Sequence, residues 1–286
     1  MARVTQVEQY TDPVAFHAEG PVWSTAWGGL RYVDMFAGDV LSVAADNSVG
    51  RRHVGAIAAA LRPRVGGGAV IAVERGFLLE APDGSLQPLP DVWSDDSVRM
   101  NDGGCDPDGR FYCGSMAYDQ AAGRGSLYRL DPDGSTSLVF SGATISNGLD
   151  WSPDGATAYY VDTPTRRIDA FDYDATTGLS GRRPFAKIPD GAGFPDGITV
   201  DAEGGVWVAL YAGSAVHRYR PDGAIDLVVE LPVSQVTACT FGGEALDQLF
   251  ITTTRENLPD DVQPAAGSVF VCKPGVHGRP VTPFAG

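Results

Sequence analysis

Apolar residues along the chain occur in short runs that alternate with polar residues or are rich in β-branched side chains. Segments with a helical period are nearly absent, since the Ala-rich stretch 54–61 is short and ends against Pro63. A period of two is typical of β-strands with one buried face. The pattern therefore predicts an all-β protein built from many short strands.

Tight turns separate these runs, and six of them have closely related sequences. They are APDG at 81–84, DPDG at 106–109, DPDG at 131–134, SPDG at 152–155, DAEG at 201–204 and RPDG at 220–223. Proline presets the φ angle of a type I turn, aspartate tolerates the next position, and glycine supplies a positive φ at the end. Each segment is therefore predicted to connect the two strands of a β-hairpin.

The hairpins belong to a longer repeat. Segments of similar design begin at Glu19, near Arg64, at Asn101, at Asn147, at Asp196 and near Thr237. The steps between them are 37 to 49 residues, which is the size of one four-stranded propeller blade. We therefore predict that residues 1–286 form a single six-bladed β-propeller domain. A pair of β-sandwich domains is the alternative, but it gives no reason for an even period.

Composition and charge limit the kinds of molecule that this protein is expected to bind. The net charge is −15 and the pI is about 4.5, which disfavours nucleic acid and anionic membranes and favours a cation or a neutral small molecule. No apolar run approaches the roughly 18–20 residues of a membrane helix. The N-terminal segment lacks the apolar core of a signal peptide, so we expect a cytoplasmic protein. The sequence does not indicate an oligomeric state.

The cysteine pattern points away from a zinc finger. The chain has four cysteines, none of them in a C-x-x-C pair, and only four histidines. Free cysteine is among the most buried residue types, so we interpret all four as buried, reduced thiols. They are Cys105, Cys113, Cys239 and Cys272.

Four polar residues occupy the same phase of their blades, and each is followed by glycine within two residues: Glu19, Asn101, Asn147 and Asp196. Any one of them alone is better explained as a turn residue. The innermost strand of each blade lines the central channel of a propeller, so together they predict a ring of oxygen-bearing side chains at one mouth. Such groups need a partner when they are gathered in a channel, and a bound cation provides one.

Glu19, Asn147 and Asp196 would offer this cation two carboxylates and one amide oxygen. Hard oxygen ligands suit Ca²⁺, Mg²⁺ or Mn²⁺, and Zn²⁺ also accepts carboxylates. Three protein ligands leave coordination positions for water and a substrate, as in a catalytic metal site. The pattern predicts one divalent metal ion in the channel without identifying it.

Five segments resemble those of the SMP-30/gluconolactonase/regucalcin-like family. They are AEGPVW (18–23), RMNDGGCDPDGRFYCGSM (99–116), SNGLDWSPDG (146–155), FPDGITVDAEGGVWVA (194–209) and TACTFGG (237–243), and the tail 254–286 is similar to the family's ending. The resemblance covers essentially the whole chain in order. It implies a six-bladed propeller with one divalent metal in the channel, and many members of the family hydrolyse sugar lactones.

The resemblance also implies roles for individual residues. The family's metal ligands, in E-G-P-x-W, S-N-G and P-D-G, fall on Glu19, Asn147 and Asp196. Its R-x-N-D-G motif binds substrate through an arginine and an asparagine, which fall on Arg99 and Asn101. In some relatives the matching asparagine lies closer to the metal, so that Asn101 would share both roles.

Several residues near these motifs carry weaker expectations. An acid that follows G-T-M in regucalcin-like members falls on Asp119, a shorter side chain than the usual Glu, which puts its substrate contact in question. His17 stands in HAEGPVW where the family often has LGEGPVW, and we interpret it as a surface residue at the rim. We expect Phe194 and Tyr211 at the channel mouth. Three tryptophans at similar blade offsets are expected to pack between blades: Trp23, Trp151 and Trp207.

The mechanism implied by the resemblance is lactone hydrolysis. The metal polarises the lactone carbonyl, water attacks the carbonyl carbon, and Asp196 accepts the proton of the water as general base. A cation depresses the pKa of its own ligand, so activation of the water by the metal is the alternative. Arg99 and Asn101 would hold sugar hydroxyls or the ring oxygen.

Two other functions remain open on the same scaffold. One is hydrolysis of a different lactone, an aryl ester or a phosphotriester. The other is a propeller without enzymatic activity that binds Ca²⁺ or a protein partner. The Arg99–Asn101 pair favours an enzyme, because a purely structural ion has no use for it.

Overall fold

A computed structural model describes residues 3–5, 7–259 and 262–286. These residues form 25 β-strands in six sheets, together with three short 3-10 helices at Thr25–Trp27, Met35–Ala37 and Thr163–Thr165. No helix in this part of the chain is long and apolar enough to cross a membrane.

The first two strands, β1 (Arg3–Thr5) and β2 (Glu8–Gln9), join blades formed by later parts of the chain. Blade 1 consists of β3 (Ala18–Ser24), β4 (Gly29–Asp34), β5 (Asp39–Val43) and β6 (Val49–His53). Blade 2 consists of β7 (Ala58–Pro63), β8 (Ala69–Val73), β9 (Phe77–Glu80) and β10 (Leu86–Pro88). Blade 3 consists of β11 (Val98–Cys105), β12 (Phe111–Ala117), β13 (Gly125–Leu130) and β14 (Thr136–Ala143).

The remaining blades follow the same plan. Blade 4 consists of β15 (Ser146–Trp151), β16 (Thr157–Asp162), β17 (Arg167–Asp174) and β18 (Gly178–Lys187). Blade 5 consists of β19 (Phe194–Val200), β20 (Val206–Tyr211), β21 (Ala215–Tyr219) and β22 (Ile225–Glu230). Blade 6 consists of β23 (Val236–Gly242), β24 (Gln248–Thr253), β25 (Val269–Cys272) and the N-terminal β2.

The six sheets form a closed ring around a channel. The first strand of each blade packs against the first strand of the next, in the order β3, β7, β11, β15, β19 and β23, and β23 packs against β3. The N-terminal strands stabilise the closed ring by joining its last two blades. Strand β2 pairs antiparallel with β25, and β1 pairs parallel with β22. The predicted six-bladed β-propeller is confirmed.

The six turns predicted from the sequence all connect strands of hairpins. Their terminal glycines have φ angles between 72° and 86°, the left-handed region that side chains disfavour. Local turn chemistry therefore fixes where these six hairpins reverse. The blades also pack through the predicted tryptophans, with ring centroids 5.3 to 5.5 Å apart in the pairs Trp23–Phe250, Trp151–Tyr112 and Trp207–Phe241.

Blade 2 begins earlier than its sequence suggests. Its inner strand is β7 at Ala58–Pro63, within and just after the Ala-rich stretch, so the predicted start near Arg64 is wrong. Arg64 begins the turn that leads into β8. Alanines stand in this strand where other inner strands carry polar residues, and Ala59 and Ala60 are buried.

The C-terminal tail crosses the end of the channel at which the inner strands finish, which we call the lower mouth. Arg279 lies there beside Arg62 and Asp150, around a cavity of about 50 Å³. Phe284 anchors the tail to blade 2, since its N–H donates to the Pro63 carbonyl at 2.7 Å. The lower mouth is therefore largely filled. All four cysteines are buried and free, as predicted.

Candidate functional site

The opposite end of the channel, at which the inner strands begin, opens into a cavity of about 300 Å³. We call this end the upper mouth. Five of the predicted site residues line the cavity: Glu19, Arg99, Asn101, Asn147 and Asp196. They come from the inner strands of four blades, so only closure of the propeller brings them together.

A β-bulge at the same height of every inner strand presents these residues. The shifts in strand register fall between Glu19/Val22, Ala58/Ala60, Met100/Gly103, Ser146/Leu149, Pro195/Ile198 and Val236/Ala238. Asn101, Asn147 and Asp196 lie inside their bulges and Glu19 lies at the start of its own. A bulge leaves residues outside the ladder and redirects their side chains. It turns these polar groups toward the channel.

The glycines after Asn147 and Asp196 have a role beyond turn chemistry. A Cβ atom on Gly148 would lie 2.6 Å from the Ile198 nitrogen, and one on Gly197 would lie 2.5 Å from the Ala238 Cβ. Neighbouring inner strands therefore approach each other too closely for any side chain at these positions. In each Asn-Gly or Asp-Gly pair, the first residue supplies the polar side chain. The glycine lets the neighbouring inner strand come close enough to hold that side chain beside the others.

Two carboxylates are buried at this mouth. Glu19 and Asp196 are 4% and 6% exposed. Burial and the charge of Asp102 raise the pKa of Glu19 to about 8, although the Gly20 N–H donates to its Oε2 atom at 2.9 Å. Burial and the charges of Glu19, Asp102 and Glu256 raise the pKa of Asp196 well above its usual range. Neither carboxyl group therefore has a neighbouring positive charge that balances its own.

This donor set fits a hard divalent cation. No group of three or more His, Cys, Asp or Glu side chains in the described ranges is arranged to hold a metal by itself, so a metal here would depend on the Asn147 amide as well as the two carboxylates. A divalent cation would offset the burial and the repulsion that raise the pKa of Glu19 and of Asp196. Carboxylate and amide oxygens are the ligands that such cations prefer.

Arg99 is a buried guanidinium beside these groups, with 5% exposure. Its Nη1 atom donates to Asn101 Oδ1 at 2.7 Å and to the Met100 carbonyl at 3.0 Å. Within the part of the chain that the structure describes, no carboxylate forms an ion pair with it, and Glu256, Glu19 and Asp196 attract it from farther away. Arg99 therefore keeps donors for a ligand in the cavity.

His17 also lines the cavity and is only 7% exposed, so its interpretation as a surface residue is wrong. Its Nδ1 atom lies 3.0 Å from the Thr254 hydroxyl and 3.4 Å from Glu256 Oε2. Burial and the neighbouring Arg99 charge lower the pKa of His17 to about 3. The ring is therefore neutral near pH 7. The Glu256 carboxylate can only accept a hydrogen bond, so its position beside Nδ1 favours the tautomer of His17 with the proton on Nδ1.

Aromatic side chains surround the opening. Phe194 and Tyr211 line the cavity, which confirms their predicted position at the channel mouth. Phe194 is 40% exposed and lies under the Arg166 guanidinium, 4.8 Å from its centre. Phe36 and Tyr118 flank Arg99 on the other side, with ring centroids 5.3 and 5.9 Å from its guanidinium. The rim thus offers flat apolar surface above a polar floor.

Asp119 is the predicted site residue that the structure does not bring to the cavity. It lies in an exposed turn, where its carboxylate accepts the Ala121 N–H at 3.0 Å. The next residue, Gln120, lines the cavity instead. The shorter side chain of aspartate thus stabilises the turn and does not reach the site in this structure.

The sequence did not predict several other polar residues that line the cavity, among them Thr163, Glu256 and Asn257. Like Gln120, they follow the second strand of a blade, β16, β24 or β12, in the loops above the upper mouth. Their spacing from the inner strands varies, so no motif marks them. A search of every loop that follows a second strand would have found them.

Comparisons with known proteins identify the family and support the fold. The sequence model for the SMP-30/Gluconolactonase/LRE-like region matches residues 17–255. Regucalcin of Oryctolagus cuniculus is 38% identical over 282 residues, which cover 94% of each chain. The structure of a calcium-binding protein, regucalcin, from Agrobacterium tumefaciens superposes with a TM-score of 0.92 at 29% identity and covers 99% of each chain.

A gluconolactonase from Xanthomonas campestris is also similar, with a TM-score of 0.75 at 26% identity. The match covers 93% of this chain and 88% of that one. The family match therefore extends over most of the chain and includes the strands that carry the upper mouth. The chain belongs to the SMP-30/gluconolactonase/LRE-like family.

Proposed function

We propose that this protein hydrolyses sugar lactones at the upper mouth, with Glu19, Asn147 and Asp196 holding one divalent metal ion. The observation that carries the proposal is the juxtaposition of two unpaired buried carboxylates with the Arg99–Asn101 pair in one cavity. The gluconolactonase from Xanthomonas campestris, a member of the same fold, supports this reaction class. The volume of about 300 Å³ is at the small end for ligand pockets and suits a single sugar ring.

The metal would supply Lewis acidity toward the lactone carbonyl. Calcium is the cation suggested by the name of the Agrobacterium tumefaciens protein. The ligand set accepts Mg²⁺, Mn²⁺ and Zn²⁺ as well.

Asp196 has the role of general base in this proposal. Its carboxylate accepts a proton from the water whose oxygen bonds to the carbonyl carbon, and the acyl C–O bond of the ring then breaks. The ring oxygen takes up a proton as it leaves, and in this proposal Asp196 returns the one it accepted. The net reaction adds one water to the lactone and gives a hydroxy acid.

Arg99 and Asn101 bind the substrate. The Arg99 guanidinium has no ion-pair partner in the described chain, so its free N–H groups are available to the oxygens of a lactone. Asn101 is locked by hydrogen bonds to its neighbours and positions Arg99 through its Oδ1 atom. These contacts orient the ring and contribute mainly to binding.

The aromatic rim favours a second candidate, hydrolysis of an aryl ester or an apolar lactone. Phe194 lines the cavity and is 40% exposed, and the rings of Phe36 and Tyr118 flank Arg99. Exposed aromatic faces bind flat apolar groups as well as the carbon faces of sugars. The polar floor favours the sugar, and a substrate panel separates the two.

The test is hydrolysis by metal-stripped protein to which Ca²⁺, Mg²⁺, Mn²⁺ or Zn²⁺ is returned. Acid release from glucono-δ-lactone, δ-valerolactone and phenyl acetate is followed with a pH indicator. We expect metal-dependent turnover that is fastest with glucono-δ-lactone. Preference for phenyl acetate would support the second candidate. Metal binding without turnover of any substrate would identify a calcium-binding propeller instead, and full activity after chelation would refute the metal role.

A further inference from the structure

We propose that Thr163 is a positioning residue that orients the Asn147 amide, so that its oxygen and not its nitrogen faces the metal position. This inference rests on the proposed metal role of Asn147. It is carried by a chain of hydrogen bonds whose direction is fixed at both ends. The chain begins at Arg99 and ends at the carbonyl of Pro195, the residue before Asp196.

The first part of the chain fixes Asn101. Arg99 Nη1 can only donate, and it donates to Asn101 Oδ1 at 2.7 Å. The Asn101 Nδ2 atom donates at 2.9 Å to the carbonyl of Ser146, which can only accept. Reversing the Asn101 amide would place donor against donor and acceptor against acceptor. Its nitrogen therefore has to face blade 4.

The orientation of Asn101 determines that of Asn147. Asn101 Nδ2 lies 3.2 Å from the side-chain oxygen of Asn147 and donates to it. The Asn147 nitrogen then points the other way, toward the Thr163 hydroxyl at 2.9 Å. An amide oxygen has two lone pairs, so the one not used by Asn101 remains for a cation.

Thr163 closes the chain. Its hydroxyl carries one proton, which it donates to the Pro195 carbonyl at 2.9 Å. The hydroxyl oxygen is thus left to accept from Asn147 Nδ2. Because Pro195 precedes Asp196 in β19, Thr163 ties together the two inner strands that carry Asn147 and Asp196.

The turn that carries Thr163 is itself well anchored. The 3-10 helix Thr163–Thr165 follows β16, and the Thr163 N–H donates to the Ile145 carbonyl at 3.1 Å. In the same turn, the Thr165 hydroxyl donates a hydrogen bond to the Asp162 carbonyl at 2.7 Å. Thr163 and Thr165 are both half-buried. Thr165 therefore offers a matched control, since its hydroxyl touches neither Asn147 nor β19.

Removing the Thr163 hydroxyl would leave the Asn147 amide with only the Asp196 carboxylate as an acceptor for its N–H groups. The amide could then rotate and present N–H groups, which repel a cation. Groups that orient metal ligands typically contribute a factor of about 10–100 to metal affinity. We expect Thr163→Val to weaken metal binding by about that factor. Thr163→Ser keeps the hydroxyl and should bind metal as the unaltered protein does.

The experiment is calorimetric titration of metal-stripped full-length protein with CaCl₂ or MnCl₂ alone, without substrate. The unaltered protein is compared with Thr163→Val, Thr163→Ser and Thr165→Val, and thermal unfolding is recorded for each. We expect Thr165→Val to lose stability without losing metal affinity. If Thr163→Val does not purify, Thr163→Cys takes its place, because a thiol of similar size is a poor acceptor.

The outcomes separate this inference from the proposed function. Equal metal affinity of Thr163→Val and the unaltered protein would refute the positioning role while leaving lactone hydrolysis intact. A protein that hydrolyses lactones but binds neither metal would refute the inference and the metal role together. Loss of affinity in Thr163→Val, restored in Thr163→Ser, would establish the inference even if no lactone were hydrolysed.

Discussion

The two mouths of the channel are formed by the same six inner strands but differ in how their acidic side chains are balanced. At the lower mouth, the Asp150 carboxylate accepts the N–H groups of Trp151 and Val200 at 2.8 and 2.7 Å. The Arg279 guanidinium of the C-terminal tail lies 3.7 Å away. The protein thus satisfies its own acid, and the cavity that remains is only about 50 Å³.

At the upper mouth, the acids are left for a ligand. Glu19 and Asp196 face a cavity of about 300 Å³, burial and neighbouring acids raise the pKa of both, and in the described chain neither forms an ion pair. The nearest guanidinium, Arg99, is held by Asn101 instead. A propeller can therefore fill one end of its channel for stability and keep the other incomplete for binding.

The largest expected effect comes from neutralising one acid at each mouth. Asp196→Asn should lower kcat/KM for glucono-δ-lactone by about 100-fold or more, because it removes the base and a metal ligand. Its stability without metal should be unchanged or higher, since a repelled buried charge is gone. Steady-state kinetics and denaturant unfolding measure the two effects.

Asp150→Asn is the matched control at the lower mouth. It should keep kcat/KM and change the free energy of unfolding by less than about 1 kcal/mol, because the weakened bonds to backbone N–H groups and Arg279 are offset by relief of the burial that raises the pKa of Asp150. A large loss of activity in Asp150→Asn with little loss in Asp196→Asn would reverse our assignment of the two mouths.

The two arginines offer the next comparison. Arg99→Met should raise KM by about 10–100-fold with little change in kcat, since a charged hydrogen bond contributes about 1.5–3 kcal/mol to binding. Arg279→Met should leave KM unchanged and lower the melting temperature, because it loses its bond to the Trp151 carbonyl. A fall in kcat at constant KM for Arg99→Met would instead place Arg99 in transition-state stabilisation.

A smaller effect is expected from the glycines. Gly148→Ala should cost about 1–3 kcal/mol of folding free energy, because the new Cβ would lie 2.6 Å from the Ile198 nitrogen. Gly66→Ala, in the turn before β8, meets no atom within 4 Å and should be neutral. Denaturant unfolding compares them. Equal stability of both variants would contradict the close approach of inner strands at the upper mouth.

The smallest effect concerns two buried histidines. His17→Leu should cost about 0.5–1.5 kcal/mol, because it removes the hydrogen bond to Thr254. The Nδ1 atom of His217 has no hydrogen-bond partner within the described residues, so His217→Leu should be neutral or stabilising. Thermal unfolding at neutral pH distinguishes them, and a larger loss in His217→Leu would contradict this assignment.

Much of the fold could be predicted because the information is local. A turn such as 131–134 needs only a proline, an aspartate and a glycine in order, and its glycine has the expected φ of 86°. The start of blade 2 could not be predicted in this way, because its inner strand has alanines where other inner strands carry polar residues. The single-domain assignment, the cytoplasmic location and the individual ligand roles stay predictions.

The sequence alone determined the blade repeat and the polar residues near the start of most inner strands, including Glu19, Asn147 and Asp196, because strand periodicity and turn chemistry act over a few residues. Only the tertiary structure decided that Thr163 meets Asn147, that His17 is buried and that Asp119 stays outside the cavity. Those contacts depend on how loops from different blades converge above the channel. Ring closure sets that geometry, and no spacing along the chain encodes it.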